Sequence, residues 1–184
     1  FAQRDGRYLD GPTGMKFGDF LEHGYDGVGP VFGDWADHLT TLFTDARLKQ
    51  HIELRSADCG DLAYTLALQA LWKGLMYDRE ALDEALRLAP KLNRAEAIEL
   101  RQCVARDGLA AQHANTNVGA LAKEAIMLAV AGLNRVAPAE ESYLDVLRER
   151  GIEDEVCPAD ILLRNWHGSW HGSIDRVLEY LRIA

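Results

Sequence analysis

Disulfide chemistry, a broad basic face and a membrane-length apolar run are what this sequence has least of. Cys59, Cys103 and Cys157 are its only cysteines; they are odd in number and form no CxxC pair. That excludes a disulfide framework and reads as a reduced chain. Lys and Arg number 20 against 29 Asp and Glu, for a formal net charge of −9. A nucleic-acid partner, which needs a basic face, is therefore not expected. A small anion could still be held by local arginines or by a metal ion. The longest apolar run, "AIMLAVAGL", stops at nine residues, short of a membrane span, and no secretory leader is visible. With reduced thiols and no membrane partner, the expected location is cytoplasmic.

What is present fits one domain, or one domain with an appendage. The 184 residues, 48% apolar and 27% charged, are enough to bury a real core. The chain opens at Phe1 in mid-pattern, as a fragment or processed C-terminal portion would. Its character changes near residue 60, which divides a strand-containing part, 1–60, from a helical region, 61–184. In the first part "FAQRDGRYLDGPTG" reads as an edge strand with a turn at Asp10-Gly11-Pro12. Residues 18–33, with five glycines and a proline, read as a loop. "DWADHLTTLF" suits a short helix with Trp35, Leu39 and Leu42 on one side. "RLKQHIELR" lacks helical stop signals and is read as a strand over 49–55.

Beyond residue 60 the helical signals are dense. "DLAYTLALQALWKGLMYD" is apolar almost all round and should be buried. Asp78 can cap "REALDEALRLA", and Asn93 with Glu96 forms a capping box for a helix that stops on Gly108. Val118, Leu121, Ala125, Leu128, Ala129 and Gly132 make one stripe, with small residues permitting close helix approach. "AEESYLDVLRERG" should be a helix ending on Gly151. Pro158 suits the first position of another, and Ser173 the cap of the last. The expected fold class is α+β: a few N-terminal strands followed by about seven helices.

"RNWHGSWHGSID" repeats Trp-His-Gly-Ser and puts His167 and His171 four residues apart, the spacing of a helical zinc pair. Zinc would want two further ligands, and Cys157 is the only nearby soft one. Gly168 and Ser173 read instead as the end of one helix and the start of the next, which leaves the histidines across a turn. Packing and capping explain this stretch best.

"HIELRSAD" has more to offer. Glu53 and Arg55 are two apart, so on a strand they share a face. The plain reading is a salt bridge on a solvated sheet. The sharper one is a nucleotide site, in which a carboxylate holds Mg²⁺ and an arginine presents its planar fork to a phosphoryl group.

"DWADHLTTLFTDARLKQHIELRSAD" closely resembles the "DWxxHLTTxFPxxRLKxYLExRxAD" stretch of glutamate–cysteine ligases, in the branch shared by plants and many proteobacteria. "ALWKGLMYDREALDEA", "LAKEAIMLAVAGLNR" and "CPADILLRNWHGSWHGSIDRVLEY" resemble three later motifs of that family, in order and at family spacing. The resemblance implies a C-terminal two-fifths of such an enzyme. It implies ATP- and Mg²⁺-dependent joining of the γ-carboxylate of L-glutamate to the amine of L-cysteine through γ-glutamyl phosphate, the first step of glutathione biosynthesis. It also implies a glutamine-synthetase-like antiparallel catalytic sheet, with Glu53 as a magnesium ligand and Arg55 assisting the ATP phosphate in transfer. The remainder of the enzyme would supply the other ligands, so the 184 residues should be inactive alone; a homodimer is compatible with this reading.

The sequence departs from the family in places. Where "RSAD" is usually followed by Gly-Gly-Pro-Trp-Arg-Arg, this chain has Cys59-Gly60-Asp61-Leu62-Ala63-Tyr64, losing an aromatic and two cations. His171 stands where the closing motif has glycine. Residues 1–58 hold no cysteine, and Leu66 lies where the plant regulatory helix cysteine is expected, so a plant-type thiol switch is not implied; Cys59 reads as a small buried residue. These departures keep two alternatives open: a related carboxylate–amine ligase using another amine, and a non-catalytic helical scaffold or dimerisation module.

Overall fold

The computed structural model describes residues 2–9, 14–58 and 60–182. The turn expected at Asp10-Gly11-Pro12, and Cys59, lie outside them. The chain divides into two compact units, Phe1–Ala57 and Asp58–Ala184.

In the first unit, β1 (Ala2–Arg4) and β2 (Arg7–Leu9) pair antiparallel around Asp5 and Gly6, both at positive φ. The loop expected over 18–33 is partly helical, because α1 (Phe17–His23) opens within it. The glycines do their work at its end: Gly24 leaves α1 at φ +66, where an added Cβ would sit 2.5 Å from Val28 O. No residue but glycine fits there without moving the backbone. The expected short helix is α2 (Phe32–Thr41). It meets α1 through rings: Phe17 stacks on His38 at 4.1 Å and tilts against Trp35 at 5.8 Å. Asp34, in its first turn, is buried and takes two 2.6 Å hydrogen bonds from Arg4. The strand expected over 49–55 is shorter than read: β3 (Ala46–Leu48) and β4 (Ile52–Leu54) form a hairpin, with 49–51 as its turn.

The second unit is helical. Asp61 caps α3 (Leu62–Met76), and Asp78 caps α4 (Arg79–Leu88) by accepting from Ala81 N at 2.8 Å. The capping box of Asn93 and Glu96 opens α5 (Arg94–Asp107), and Gly108, at φ +55, ends it. A short ladder not expected from the sequence, β5 (Gln112–His113) with β6 (Thr116–Asn117), turns the chain at Ala114, φ +50, into α6 (Val118–Val136). The core lies between α3 and α6, where Ala70, Leu75, Ala129, Leu133 and Leu144 are buried together. The small-residue stripe does bring helices close: a Cβ on Gly132 would lie 2.0 Å from Gly74 O. The expectation that α3 is buried all round needs correction, since Leu62 is 61% exposed at its start.

Residues 138–153 correct a second expectation. The run begins as a tight 3₁₀ helix (Pro138–Leu144), passes through one α turn, α7 (Asp145–Leu147), and widens into a π-helix (Arg148–Glu153). The winding keeps Leu144 and Leu147 on the core and lays Gly151 against Ile126, so Gly151 is a packing position, not a stop. Next, α8 (Pro158–His167) starts on proline as read, and α9 (Ile174–Tyr180) follows Ser173, whose side chain makes no cap hydrogen bond. Among the described residues each sheet has two strands. The class is thus α+β and mostly helical, and these residues do not by themselves assemble a cupped catalytic sheet.

Candidate active site

The β3–β4 hairpin collects charge on one face. Its register sets Ala46 opposite Leu54, Arg47 opposite Glu53 and Leu48 opposite Ile52. Alternation then sorts the side chains. Leu48 and Ile52, 79% and 62% exposed, are an apolar pair on one face. The other face carries Arg47 and Glu53, with Lys49 and Arg55 at the ends.

Glu53 is held asymmetrically. Arg47 donates to its Oε2 from Nε at 3.0 Å and from Nη2 at 2.8 Å. Lys49 Nζ is 4.0 Å from the same oxygen. Oε1 takes no hydrogen bond among the described residues; Arg55 Nε stands 3.8 Å from it, too far for one. The Arg47 hydrogen bonds, and then the charges of Arg47, Arg55 and Lys49, hold the Glu53 carboxyl below the usual carboxylate range against the opposing effect of burial. At neutral pH it is an anion with one occupied and one open oxygen.

Arg55 closes the hairpin through its backbone, donating from N to Asp45 O at 2.8 Å. Its guanidinium lies over the Phe43 ring at 5.2 Å and spends none of its N–H donors in a hydrogen bond among the described residues. A planar cation parked on an aromatic face, with its fork uncommitted, is suited to receive phosphoryl or carboxylate oxygens. The structure therefore brings together the two residues singled out in the sequence. The residue that sequence reasoning missed is Arg47, for which the signal was its place in "RLKQHIELR", six positions before the glutamate and so able to face it across a tight hairpin.

The donor set limits what a metal could find here. Among the described residues, no group of three or more His, Cys, Asp or Glu side chains is placed to hold an ion. Magnesium takes about six oxygens in near-octahedral array. Glu53 Oε1 fits the role of one such oxygen, and the hairpin supplies no others.

The remaining sequence candidates resolve into scaffold. Where the related motif has an aromatic and two cations, Asp61 caps α3 by accepting from Tyr64 N at 3.0 Å. Tyr64 turns inward, and its hydroxyl is buried without a partner among the described residues. His167 is the last residue of α8, while His171 sits at φ +48 in the turn before α9, so the two do not share a helical face. The turn is tied by Gly172 N to Trp166 O at 2.9 Å and covered by Trp170 against Tyr180 at 5.3 Å. Cys157, before α8, has its thiol pushed up by burial and by Asp160, the opposite of an activated thiolate.

Residues 6–180 match glutamate–cysteine ligase family 2. Among similar proteins, the chloroplastic glutamate–cysteine ligases of Brassica juncea and Arabidopsis thaliana are each 36% identical over 98% of this chain, which covers 35% of theirs. That of Medicago truncatula is 35% identical over 98% of this chain and 36% of its own. The chain thus spans about a third of the length of the curated relatives it matches. The cytoplasmic location expected from the composition is overturned, because these relatives are named as chloroplastic.

Proposed function

The chain belongs to glutamate–cysteine ligase family 2, and from that premise we propose that it is part of an ATP- and Mg²⁺-dependent enzyme joining L-glutamate to L-cysteine in glutathione biosynthesis. The observation that carries the reading is the arrangement at the end of β4: a carboxylate with one open oxygen, 3.8 Å from an arginine whose fork is uncommitted. The relatives' names support the reaction, and the plastid is the compartment they favour.

In this reading the γ-carboxylate of glutamate attacks the terminal phosphorus of ATP. The bond to the bridging oxygen breaks and ADP leaves. The amine of cysteine then attacks the acyl phosphate carbon, phosphate departs with the carbon–oxygen bond pair, and the nitrogen gives up one proton to solvent, leaving an amide. Arg55 donates to the migrating phosphoryl oxygens, where charge is concentrated in transit. A guanidinium stacked on Phe43 is pre-oriented for this, so little rotamer freedom is lost at the moment of reaction. Glu53 would offer Oε1 to the magnesium, whose chemistry is to neutralise phosphate oxygens. The hairpin would join a larger antiparallel sheet, with the exposed Leu48–Ile52 face covered by the rest of the protein, which also supplies the other metal and substrate ligands.

One observation favours a second reading, the same chemistry with a different amine. Asp61 and Tyr64 serve α3 here, in the segment where the related motif would present an aromatic and two cations to any phosphate or substrate. The test is ATP-dependent product formation by the complete protein carrying this chain, with L-glutamate and a panel of amines, run beside the 184-residue piece. γ-Glutamylcysteine from the whole protein and none from the piece is the expected result. Turnover only with another amine selects the second reading, and no turnover with any amine refutes both.

A further inference from the structure

Arg47 has no part in the chemistry above, yet it is the most committed cation on the hairpin. Two of its nitrogens go to Glu53 Oε2, and Nη1 donates to Thr40 O in the last turn of α2 at 3.3 Å. Its side chain is only 14% exposed, against 46% for Lys49. Three of its five N–H donors are engaged, and the fork formed by Nε and Nη2 is closed to a substrate.

We propose that Arg47 is a positioning residue of the ligase site: it clamps Glu53 by Oε2 and so keeps the Arg55 guanidinium available. The inference rests on the roles given above to Glu53 and Arg55. Its logic is competition. Glu53 lies between two guanidiniums and makes hydrogen bonds to one of them. Charge-assisted Arg–carboxylate bonds form near 2.8 Å, so Arg55 would need to close about 1 Å on Glu53 to make one. With Arg47 removed, the nearest cations are Arg55, 3.8 Å from Oε1, and Lys49, 4.0 Å from Oε2, and Arg55 is no longer kept from closing on Glu53. Forming that pair would consume the donors meant for phosphoryl oxygens and occupy the open carboxylate oxygen at once. The Thr40 contact adds a second anchor, tying the clamp to the end of α2, so Glu53 is placed by a helix terminus as well as by its own hairpin.

The test is a double-mutant cycle in the complete protein carrying this chain, with Arg47→Met, Glu53→Gln and the pair. Turnover is read together with binding of a non-hydrolysable ATP analogue in MgCl₂ by titration calorimetry. Arg47→Met should lower kcat by about ten-fold or more and weaken analogue binding, with KM for glutamate and cysteine nearly unchanged. Added to Glu53→Gln, it should cost less than about two-fold further, because it acts through Glu53. Arg47→Lys should recover only part of the loss, since an ammonium cannot span Glu53 and Thr40 together; it also serves as the probe if the methionine variant fails to fold. Normal turnover in the Arg47 variants, with Glu53→Gln impaired, overturns the positioning role alone. Losses that multiply in the double variant overturn it too, because Arg47 would then act independently of Glu53. Normal turnover in Glu53→Gln overturns the site assignment on which the proposal rests.

Discussion

Glu53 and Arg55, two residues apart at the end of β4, are close enough to attract and too far apart to bond: Oε1 and Nε are separated by 3.8 Å. They form an ion pair with no hydrogen bond between them, and each side chain has another contact of its own. Arg47 engages the far oxygen of the glutamate, and Phe43 carries the guanidinium. The ion pair that "ExR" suggests is present at 3.8 Å, but the hydrogen-bonded pair is Glu53 with Arg47, and Arg55 keeps its donors.

The first prediction concerns that fork. Arg55→Lys in the complete protein should lower kcat by about ten-fold or more while KM for glutamate changes little, because a point charge cannot hold two phosphoryl oxygens in one plane. Steady-state kinetics with saturating ATP decides it. An unchanged kcat would remove Arg55 from the transition state.

Glu53→Gln separates charge from shape. The amide is nearly isosteric but no longer an anion, so magnesium should half-saturate the enzyme at a concentration about ten-fold higher, with turnover cut as well. Measured as rate against MgCl₂ at fixed ATP, near-normal rates at low magnesium would refute the ligand role.

The Arg4–Asp34 pair yields a pH signature. Asp34 is 2% exposed, and the Arg4 hydrogen bonds hold its carboxyl down to about 2, from an ordinary value of 3.8. A carboxyl depressed in the folded state stabilises the fold fully above its unfolded value and loses that contribution as pH falls toward the folded value. Denaturation of the complete protein should thus show the first unit weakening between about pH 4 and pH 2. Asp34→Asn should be less stable at neutral pH, by roughly 1–3 kcal/mol for the lost charge-assisted hydrogen bonds from Arg4, and should lack that part of the acid slope. An identical slope in the variant would mean that other carboxyls, such as Asp78 beside Arg135, also held near 2, account for it.

Much of the helical unit was legible because its signals are local. Asp61, Asp78 and Asn93 all lie at helix starts with their caps made, and Pro158 and Gly108 punctuate as proline and glycine do. What failed was non-local. The winding of 138–153 depends on where Leu144, Leu147 and Gly151 meet other helices, which no i,i+4 pattern encodes. The helix at Phe17–His23 was hidden because its exit glycine, Gly24, serves a tight approach to Val28 that reads as loop composition. At the site, the period of a strand puts Glu53 and Arg55 on one face, but their roles come from the family resemblance and not from the spacing. Arg47 is hidden there, since which residues face each other across a hairpin depends on the turn's length, and no turn signal divides "RLKQHIELR".

The last prediction tests the helix crossing on which the second unit is built. An added Cβ at Gly132 would lie 2.0 Å from Gly74 O and 3.1 Å from the Ala81 Cβ, with backbone and a buried methyl as the obstacles. Neither is the end of a flexible side chain, so α3 and α6 must move apart, and Leu133 and Ala129 lose contacts as they do. Gly132→Ala should therefore destabilise the protein by about 2 kcal/mol or more, even though alanine is the better helix former. Gly33→Ala is the control: it too lies in a helix, but its Cβ would meet only Val31 Cγ2 at an ordinary 3.9 Å. That variant should stay within about 1 kcal/mol of the parent. Thermal unfolding of the two variants side by side separates the effect of losing a glycine from the effect of filling this crossing. Equal midpoints would mean that α3 and α6 tolerate a wider separation than their packing indicates.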